Sequence, residues 1–264
     1  MSREKMLENL NIFWEYSPNC KLPSAGSSKN ALHVFNKNIE NIVYNFMSTL
    51  ERNPTTLPQT ATILKGQSVS GLKIDDMMQV KRYGDAAKAL TTMITEGTFA
   101  LNEKTACALH NIVGKEEALT WGKFRDSLVT ILNLEDYTPP DSKLLSNIAV
   151  KGFVFLENEI KSPEERAIGT FLFMARTQFF HDVNKRTASL MMNGVLMSGG
   201  LYPVTILNHN SEEFHTELSA FYKTGDASKM MQFFEKSVQS LYQAQVQNDM
   251  EPKSNKDKGQ GLGR

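Results

Sequence analysis

The chain has 264 residues and 41% hydrophobic content, which is enough to fill the core of one large domain. Lys plus Arg and Asp plus Glu each total 29, so the formal net charge is zero and the basic excess of a non-specific nucleic-acid binder is absent. Cys20 and Cys107 lack the spacing of a zinc site, and the most apolar stretch, Ala167–Phe180, is too short to span a membrane. We therefore expect a soluble, cytoplasmic protein that binds neither membranes nor nucleic acid.

The first 58 residues are predicted to form an N-terminal arm followed by one helix. An amphipathic piece near Met6–Tyr16 leads into a loop rich in Pro and Ser. The apolar residues of Asn30–Arg52 recur at helical spacing, so one helix is expected there, and it could pair with a second copy as a homodimer. Pro54 and Pro58 are expected to end this helix.

Residues 59–245 are predicted to form the main, all-α domain, and residues 246–264, rich in Lys, Asp and Gly, a disordered tail. The strongest start signal is Ser162-Pro163-Glu164-Glu165, which combines an N-cap serine, a proline at the first helical position and a glutamate at the third. Apolar periodicity predicts the other helices. They are expected over about Ile74–Ile94, Asn102–Val113, Asp141–Glu159, Asn184 to Gly199, Ser211–Lys223 and Ser228–Gln245.

One segment between these helices has β character. Its centre is rich in β-branched and leucine residues, and Tyr137-Thr138-Pro139-Pro140 then interrupts any regular element. We predict a short β-hairpin flap over residues 121–140. Its strand residues are Leu128, Val129, Thr130 and Ile131.

The most informative stretch runs from Gln178 to Ala188, where a buried helix ends and another begins. The first turn of a helix has free N–H groups and a partial positive charge, so it binds anions. Lys185 and Arg186 in that turn oppose the helix dipole unless an anion is present. Asp182 could hold Mg²⁺ and Asn184 could donate to a phosphate. The simpler alternative is an N-cap Asp182 followed by solvated cations.

This segment resembles the Fic/Doc (Fido) motif, which runs His, spacer, Phe, spacer, acid, small residue, Asn, Gly or Lys, and Arg. Phe180, Asp182, Asn184, Lys185 and Arg186 stand at the matching positions, and Asn-Lys-Arg-Thr-Ala resembles the Doc branch. The resemblance extends over roughly residues 60–240. Other similar pieces are Trp121–Arg125, Val129–Ile131, Tyr137–Pro140, Gly199–Pro203 and Tyr222–Asp226.

The resemblance implies a Fic-type helical bundle with a small β-hairpin flap, and a transferase that moves AMP (or phosphate) from ATP to a protein hydroxyl. It implies that Val183, Asn184, Lys185 and Arg186 bind the nucleotide phosphates. Asp182 would bind Mg²⁺, and Gln178, Asp182 and Arg186 would form the catalytic group. The flap would pair with an unidentified target protein as an added strand.

Three residues depart from the family pattern. Gln178 stands at the position of the basic histidine, and because an amide is not a base, about 10²–10⁴-fold in rate could be lost. Val183 replaces a small residue, and Ser189 replaces a second arginine. His181 lies on a spacer position, and a role for it as a substitute base stays open. These departures leave an alternative open: a catalytically impaired Fic-fold module that binds nucleotide or phosphate and regulates a partner.

Many Fic proteins carry an inhibitory Ser/Thr-x-x-x-Glu-Gly helix. Lys65 stands where that glutamate is expected, and Thr92 to Gly97 fits the pattern literally but lies in a helix with its own core stripe. We therefore interpret the match at Glu96 as coincidence.

Overall fold

α-Helices provide the regular structure in the computed structural model, which describes residues 2–15, 24–132 and 134–237. Within these ranges residues 228–237 are also helical, and short 3₁₀ turns precede two of the helices. The named helices are α1 (Arg3–Leu10), α2 (Ser28–Lys37), α3 (Ile39–Glu51), α4 (Leu57–Leu64), α5 (Ile74–Thr95), α6 (Glu103–Val113), α7 (Leu145–Glu159), α8 (Pro163–Thr177), α9 (Asn184–Ser198) and α10 (Ser211–Thr224).

Helices α8 and α9 lie at the centre and pack against each other. Every residue from Ala167 to Thr177 in α8 is buried, and α9 is buried along almost its whole length. A helix that is covered on all sides belongs to the interior of a bundle. Helices α3, α5 and α6 pack around α9, while α7 packs on α8. The loop of residues 178–183 that joins the two central helices is therefore held from several directions.

The all-α prediction is confirmed, and most helices begin and end within a few residues of the expected positions. The Ser162 start signal is confirmed, since its side chain accepts a hydrogen bond from the Glu165 N–H and Pro163 opens α8. The single helix expected over Asn30–Arg52 is two helices that break at Asn38. The Asn38 side chain donates to the Val34 carbonyl, which competes with the regular helix pattern.

The prolines near residue 55 act differently from the prediction. Helix α3 ends at Glu51, before Pro54, with Arg52 in the left-handed conformation. Pro58 lies in the first turn of α4, where its missing N–H is not needed, so it helps to begin a helix rather than to end one.

The predicted β-hairpin flap is wrong. Among the described residues of 121–140 there is no strand. Arg125 fixes the segment to the central loop instead: its Nε donates to the Gln178 carbonyl at 2.6 Å, and its N–H donates to the Phe179 carbonyl at 2.9 Å. Pro139 and Pro140 have no N–H to donate, so the second half of the segment is a poor strand partner.

The N-terminal arm folds back on the bundle. Phe13 forms a parallel bridge with Asp226, and the Trp14 Nε1 donates to Glu165 Oε1 at 2.5 Å. Cys20, the end of the Met6–Tyr16 piece, the end of the predicted 228–245 helix and the predicted 246–264 tail lie outside the described residues. In the part of the chain that is described, no helix is both long and apolar enough to cross a membrane.

The homodimer prediction meets a constraint in α3. Its apolar face, which includes Ile42, Val43, Phe46 and Leu50, is buried in the core of this same chain. A dimer through α3 would therefore have to use its more exposed residues, and dimerisation stays a prediction.

Candidate functional site

Two residues in the left-handed conformation shape the loop between α8 and α9. Gln178 (φ 52°) ends α8, and Val183 (φ 63°) begins α9. A β-branched residue rarely adopts this conformation, so Val183 is a strained position that the surrounding structure enforces. Val183 provides no side-chain cap, and among the described residues the N–H groups of residues 184–186 make no hydrogen bond. The helix dipole and these N–H groups make the start of α9 suitable for an anion.

Two side-chain amides hold the loop closed. Gln178 donates from Nε2 to the Ala175 carbonyl at 2.6 Å and accepts at Oε1 from Asn184 Nδ2 at 2.9 Å. Asn184 Nδ2 also donates to the Phe180 carbonyl, and its Oδ1 accepts from the Phe180 N–H, both at 2.9 Å. Both N–H groups of the Asn184 side-chain amide are therefore occupied within the loop. The predicted contact between Asn184 and a phosphate requires one of these bonds to open.

Arg186 is buried between two carboxylates and does not face open solvent. Its Nη1 and Nη2 donate to Glu117 at 2.8 and 2.5 Å, and its Nε lies 3.2 Å from Glu51 Oε1. The Nε contact is an ion pair without a well-directed hydrogen bond. Burial by itself would lower the pKa of Arg186, but Glu51 and Glu117 raise it above its ordinary value. A phosphate can reach this guanidinium only by joining or displacing a carboxylate.

Glu117 is held in the ionised form by the same cluster. Burial would raise the pKa of Glu117, but the hydrogen bond and the charge of Arg186 outweigh burial and leave the pKa below its ordinary value. Gln79 Nε2 adds a hydrogen bond of 2.9 Å. The two carboxylates and one guanidinium give this cluster a net negative charge, which opposes phosphate binding next to it.

Sequence reasoning missed both carboxylates. Glu51 ends α3, far from the motif in sequence, and Glu117 lies in the charged run Lys115-Glu116-Glu117, which is typical of a solvated surface. Only the packing of α3 and of the 114–118 turn around α9 brings them to Arg186. Of the two residues compared with the inhibitory glutamate, Glu96 is exposed, and Lys65 is paired with Glu40 at 3.6 Å.

A cavity of about 530 Å³ opens beside the loop. Its size is in the range of small-molecule sites. The central loop, α10, the end of α3 and the segment around residue 131 form its walls. Lining residues from the loop are Gln178, His181, Asp182, Val183, Asn184 and Lys185, while Glu51, His215 and Tyr222 line it from elsewhere. A second cavity of about 480 Å³ between the ends of α3 and α10 is lined by none of the predicted site residues.

The predicted flap residues divide at this cavity. Thr130 and Ile131 line it, together with Leu132 and Leu134, whereas Leu128 and Val129 do not. Leu128 and Leu132 are 71% and 87% exposed, so the segment presents apolar side chains to solvent.

Three titratable side chains that line the cavity, His181, Asp182 and His215, have polar partners within the protein. His181 Nε2 lies 3.3 Å from Asp126 Oδ1, which identifies a carboxylate partner for this histidine. Asp182 Oδ1 accepts from the Val183 N–H at 2.6 Å. Burial and then the charge of Lys185 lower the pKa of His215, whose Nε2 lies 2.8 Å from the Thr49 carbonyl. Among the described residues no cluster of three or more His, Cys, Asp or Glu could hold a metal alone.

No protein-family model matches this chain. Two curated relatives, each called protein adenylyltransferase Fic, are 24% identical to it: that of Nematostella vectensis over 174 residues and that of Aedes aegypti over 186 residues. These matches cover 65% and 70% of this chain but 41% and 37% of the relatives, so the chain spans about two fifths of their length.

Solved structures give a closer view of the architecture. A Fic family protein from Desulfovibrio desulfuricans G20 superposes with a TM-score of 0.68 at 18% identity, covering 90% of this chain and 79% of that one. Fic-1 (aa134–508) from C. elegans superposes with a TM-score of 0.66 at 19% identity, covering 82% and 66%. The chain has the Fic fold.

The resemblance to Fic/Fido proteins is therefore confirmed for sequence and fold. The residues from Gln178 to Arg186 form the end of α8, the joining loop and the first turn of α9, and Gln178 and residues 181–185 line the cavity. The Doc-like character of Asn-Lys-Arg-Thr-Ala, the role of Gln178 and the roles of the individual site residues stay predictions.

Proposed function

We propose that the chain transfers AMP from ATP to a hydroxyl of a target protein. One observation carries the proposal: the uncapped start of α9, with Lys185 in its first turn, opens into a cavity of about 530 Å³. The curated relatives are named protein adenylyltransferases, and ATP is the ordinary donor of an adenylyl group. Transfer of phosphate, as the Doc-like motif suggests, is the second form of the same proposal.

The nucleotide phosphates would contact the N–H groups of residues 184–186 and the Lys185 ammonium. Asp182 has one carboxylate oxygen bonded to the Val183 N–H, and the carboxylate can hold Mg²⁺ together with phosphate oxygens. Mg²⁺ normally binds nucleotide sites through one or two carboxylates, phosphates and water, so a single protein ligand fits this ion. Bound there, Mg²⁺ would neutralise phosphate charge. Arg186 would join the phosphates only after Glu51 moves away.

The acceptor hydroxyl would attack the α-phosphorus, and the bond to the bridging oxygen of the departing pyrophosphate would break. Gln178 cannot take the hydroxyl proton, because an amide is not a base and its own groups are bonded to Ala175 and Asn184. The proton would go to solvent or to a phosphate oxygen. Positioning and charge stabilisation would then supply the catalysis, at a rate about 10²–10⁴-fold below that with a base.

The target protein would dock at the rim of the cavity. Leu132 is exposed there and lines the cavity with Thr130 and Ile131, and Leu128, earlier in the same segment, is also exposed. A target segment with apolar side chains could pack on these exposed residues. We propose a cytoplasmic location for this reaction, where ATP and protein hydroxyls are both abundant.

A second function is favoured by the closed state of the site. Both amide donors of Asn184 are occupied, and Arg186 is neutralised by two carboxylates. These features fit a regulatory module that binds a nucleotide or phosphate without transferring it. This alternative keeps the anion site at α9 and removes the chemistry.

The test is label transfer with purified protein, Mg²⁺ and ATP labelled at the α or the γ phosphate, with cell lysate as acceptor. We expect label from α-labelled ATP, faster in Gln178→His and lost in Lys185→Ala, with Lys151→Ala as the exposed-lysine control on α7. Label from γ-labelled ATP alone would identify phosphate transfer. No label from the natural chain or from Gln178→His would contradict transfer and support the regulatory module.

A further inference from the structure

His110 on α6 lies directly behind the site loop. Its side chain is completely buried, and its ring stacks on Phe180 with a centroid distance of 3.8 Å and an interplanar angle of 4°. Phe180 is itself part of the motif, so α6 supports the loop through an aromatic contact. Gly114 makes room for this ring, since a Cβ there would lie 2.8 Å from His110 Nε2.

The hydrogen bonds of His110 define its tautomer. The Gly122 N–H donates to His110 Nδ1 at 3.1 Å, so Nδ1 has no proton. The proton is therefore on Nε2, which lies 3.2 Å from the Asp182 carbonyl oxygen and donates to it. Both ring nitrogens are used, and the ring orientation is fixed from both sides. Burial lowers the pKa of His110 to about 4, which agrees with a neutral ring.

We propose that His110 is a positioning residue for the anion-binding loop and acts through its Nε2 hydrogen bond to the Asp182 carbonyl. This bond directs the carbonyl oxygen towards α6, so a negatively polarised group is held away from the anion at the start of α9. It also fixes the peptide that leads into Val183, whose left-handed conformation is strained. Ligand binding in this account rests on the proposed function, whereas the ordering of the loop does not.

Two substitutions separate the two hydrogen bonds of the ring. The amide of His110→Gln reaches the position of Nε2 and can still donate to the Asp182 carbonyl. The amide of His110→Asn reaches the position of Nδ1 and can accept from the Gly122 N–H, but it does not reach Asp182. Both variants lose the aromatic stack on Phe180, so they form a matched pair. Val113→Ala removes buried volume from the same helix without removing a hydrogen bond.

The first readout is amide hydrogen exchange of residues 180–186, with α5 as an internal reference. For His110→Asn we expect exchange of the loop about threefold to tenfold faster than in His110→Gln, because the hydrogen bond to the Asp182 carbonyl is lost in the first variant and kept in the second. His110→Gln should exceed the natural chain only by the effect of the lost stack and the lost Gly122 bond, and Val113→Ala should leave the loop unchanged relative to α5. Equal acceleration in both histidine variants, or none in His110→Asn, would overturn the proposal.

The second readout is the affinity for ATP with Mg²⁺ by calorimetry. We expect His110→Asn to bind more weakly by a similar factor, with rescue in His110→Gln. If the natural chain binds no ATP, the proposed function fails, but the exchange experiment still decides the role of His110. If all variants bind ATP equally while loop exchange differs, the loop is ordered by His110 without effect on the anion, and the proposal is overturned in that part.

Discussion

The cluster around Arg186 predicts a large and specific loss of stability in Arg186→Met. The Arg186 side chain is 1% exposed, and those of Glu51 and Glu117 are 19% exposed. Removing the guanidinium leaves two carboxylates close together with little solvent. Breaking a buried pair by removing one partner costs about 3–5 kcal/mol in the free energy of unfolding. Because the carboxylates retain some exposure, we expect a value near the lower end.

Urea unfolding at neutral pH measures this value, and two further variants interpret it. The triple variant Arg186→Met, Glu51→Gln, Glu117→Gln removes all three charges with little change of volume, so it should recover most of the lost stability. Lys5→Met removes the exposed pair with Glu159 and should change the free energy of unfolding little. If Arg186→Met costs no more than Lys5→Met, the electrostatic account of the cluster is refuted. If the triple variant is no more stable than Arg186→Met, the cost comes from packing.

Three other predictions follow from single contacts. The pKa of Glu117 is below its ordinary value of 4.5, so its ion pair stabilises the fold above that pH, and this stabilisation is lost as the pH falls further. The difference in unfolding free energy between the natural chain and Glu117→Gln should therefore shrink below about pH 4.5, and a constant difference would refute this. A Cβ at Gly194 would lie 2.2 Å from the Phe99 ring, so Gly194→Ala should lower the free energy of unfolding, measured by heat or urea, by about 1–3 kcal/mol. At Gly199 the nearest atom would lie 3.4 Å from the new Cβ, so Gly199→Ala should be tolerated. Gln178→His breaks two loop hydrogen bonds, so we expect a lower melting temperature together with faster transfer; an unchanged melting temperature would show that the amide does not hold the loop.

Local signals in the sequence were sufficient for most of the helices. Ser162 and Pro163 fix the start of α8 through contacts within one turn, and the apolar stripe of Ile74–Ile94 corresponds to α5. The break at Asn38 was missed because the apolar periodicity continues across it. The hairpin was wrong because β propensity reports how well a residue fits a sheet, and here Arg125 binds the segment to the central loop.

The candidate site was predictable only where it is contiguous. The residues from Gln178 to Arg186 are brought together by the chain itself, so a motif could identify them. Glu51, Glu117 and His110 reach the same place through the packing of separate elements, which no local pattern encodes. The contacts of Arg186 depend on Glu51 and Glu117, and those of Asn184 depend on the conformation of the loop. The sequence therefore predicted open phosphate ligands where the structure has occupied ones.

The proposed transfer reaction requires that the start of α9 binds a nucleotide, and calorimetric titration of ATP tests this most directly. The titration uses the natural chain with and without Mg²⁺, beside Lys185→Ala and the exposed-lysine control Lys151→Ala. We predict one saturable site that requires Mg²⁺, is weakened in Lys185→Ala and is unchanged in Lys151→Ala. No binding up to about 1 mM ATP, the upper end of ordinary KM values, or equal binding by Lys185→Ala, would contradict a nucleotide site at this loop.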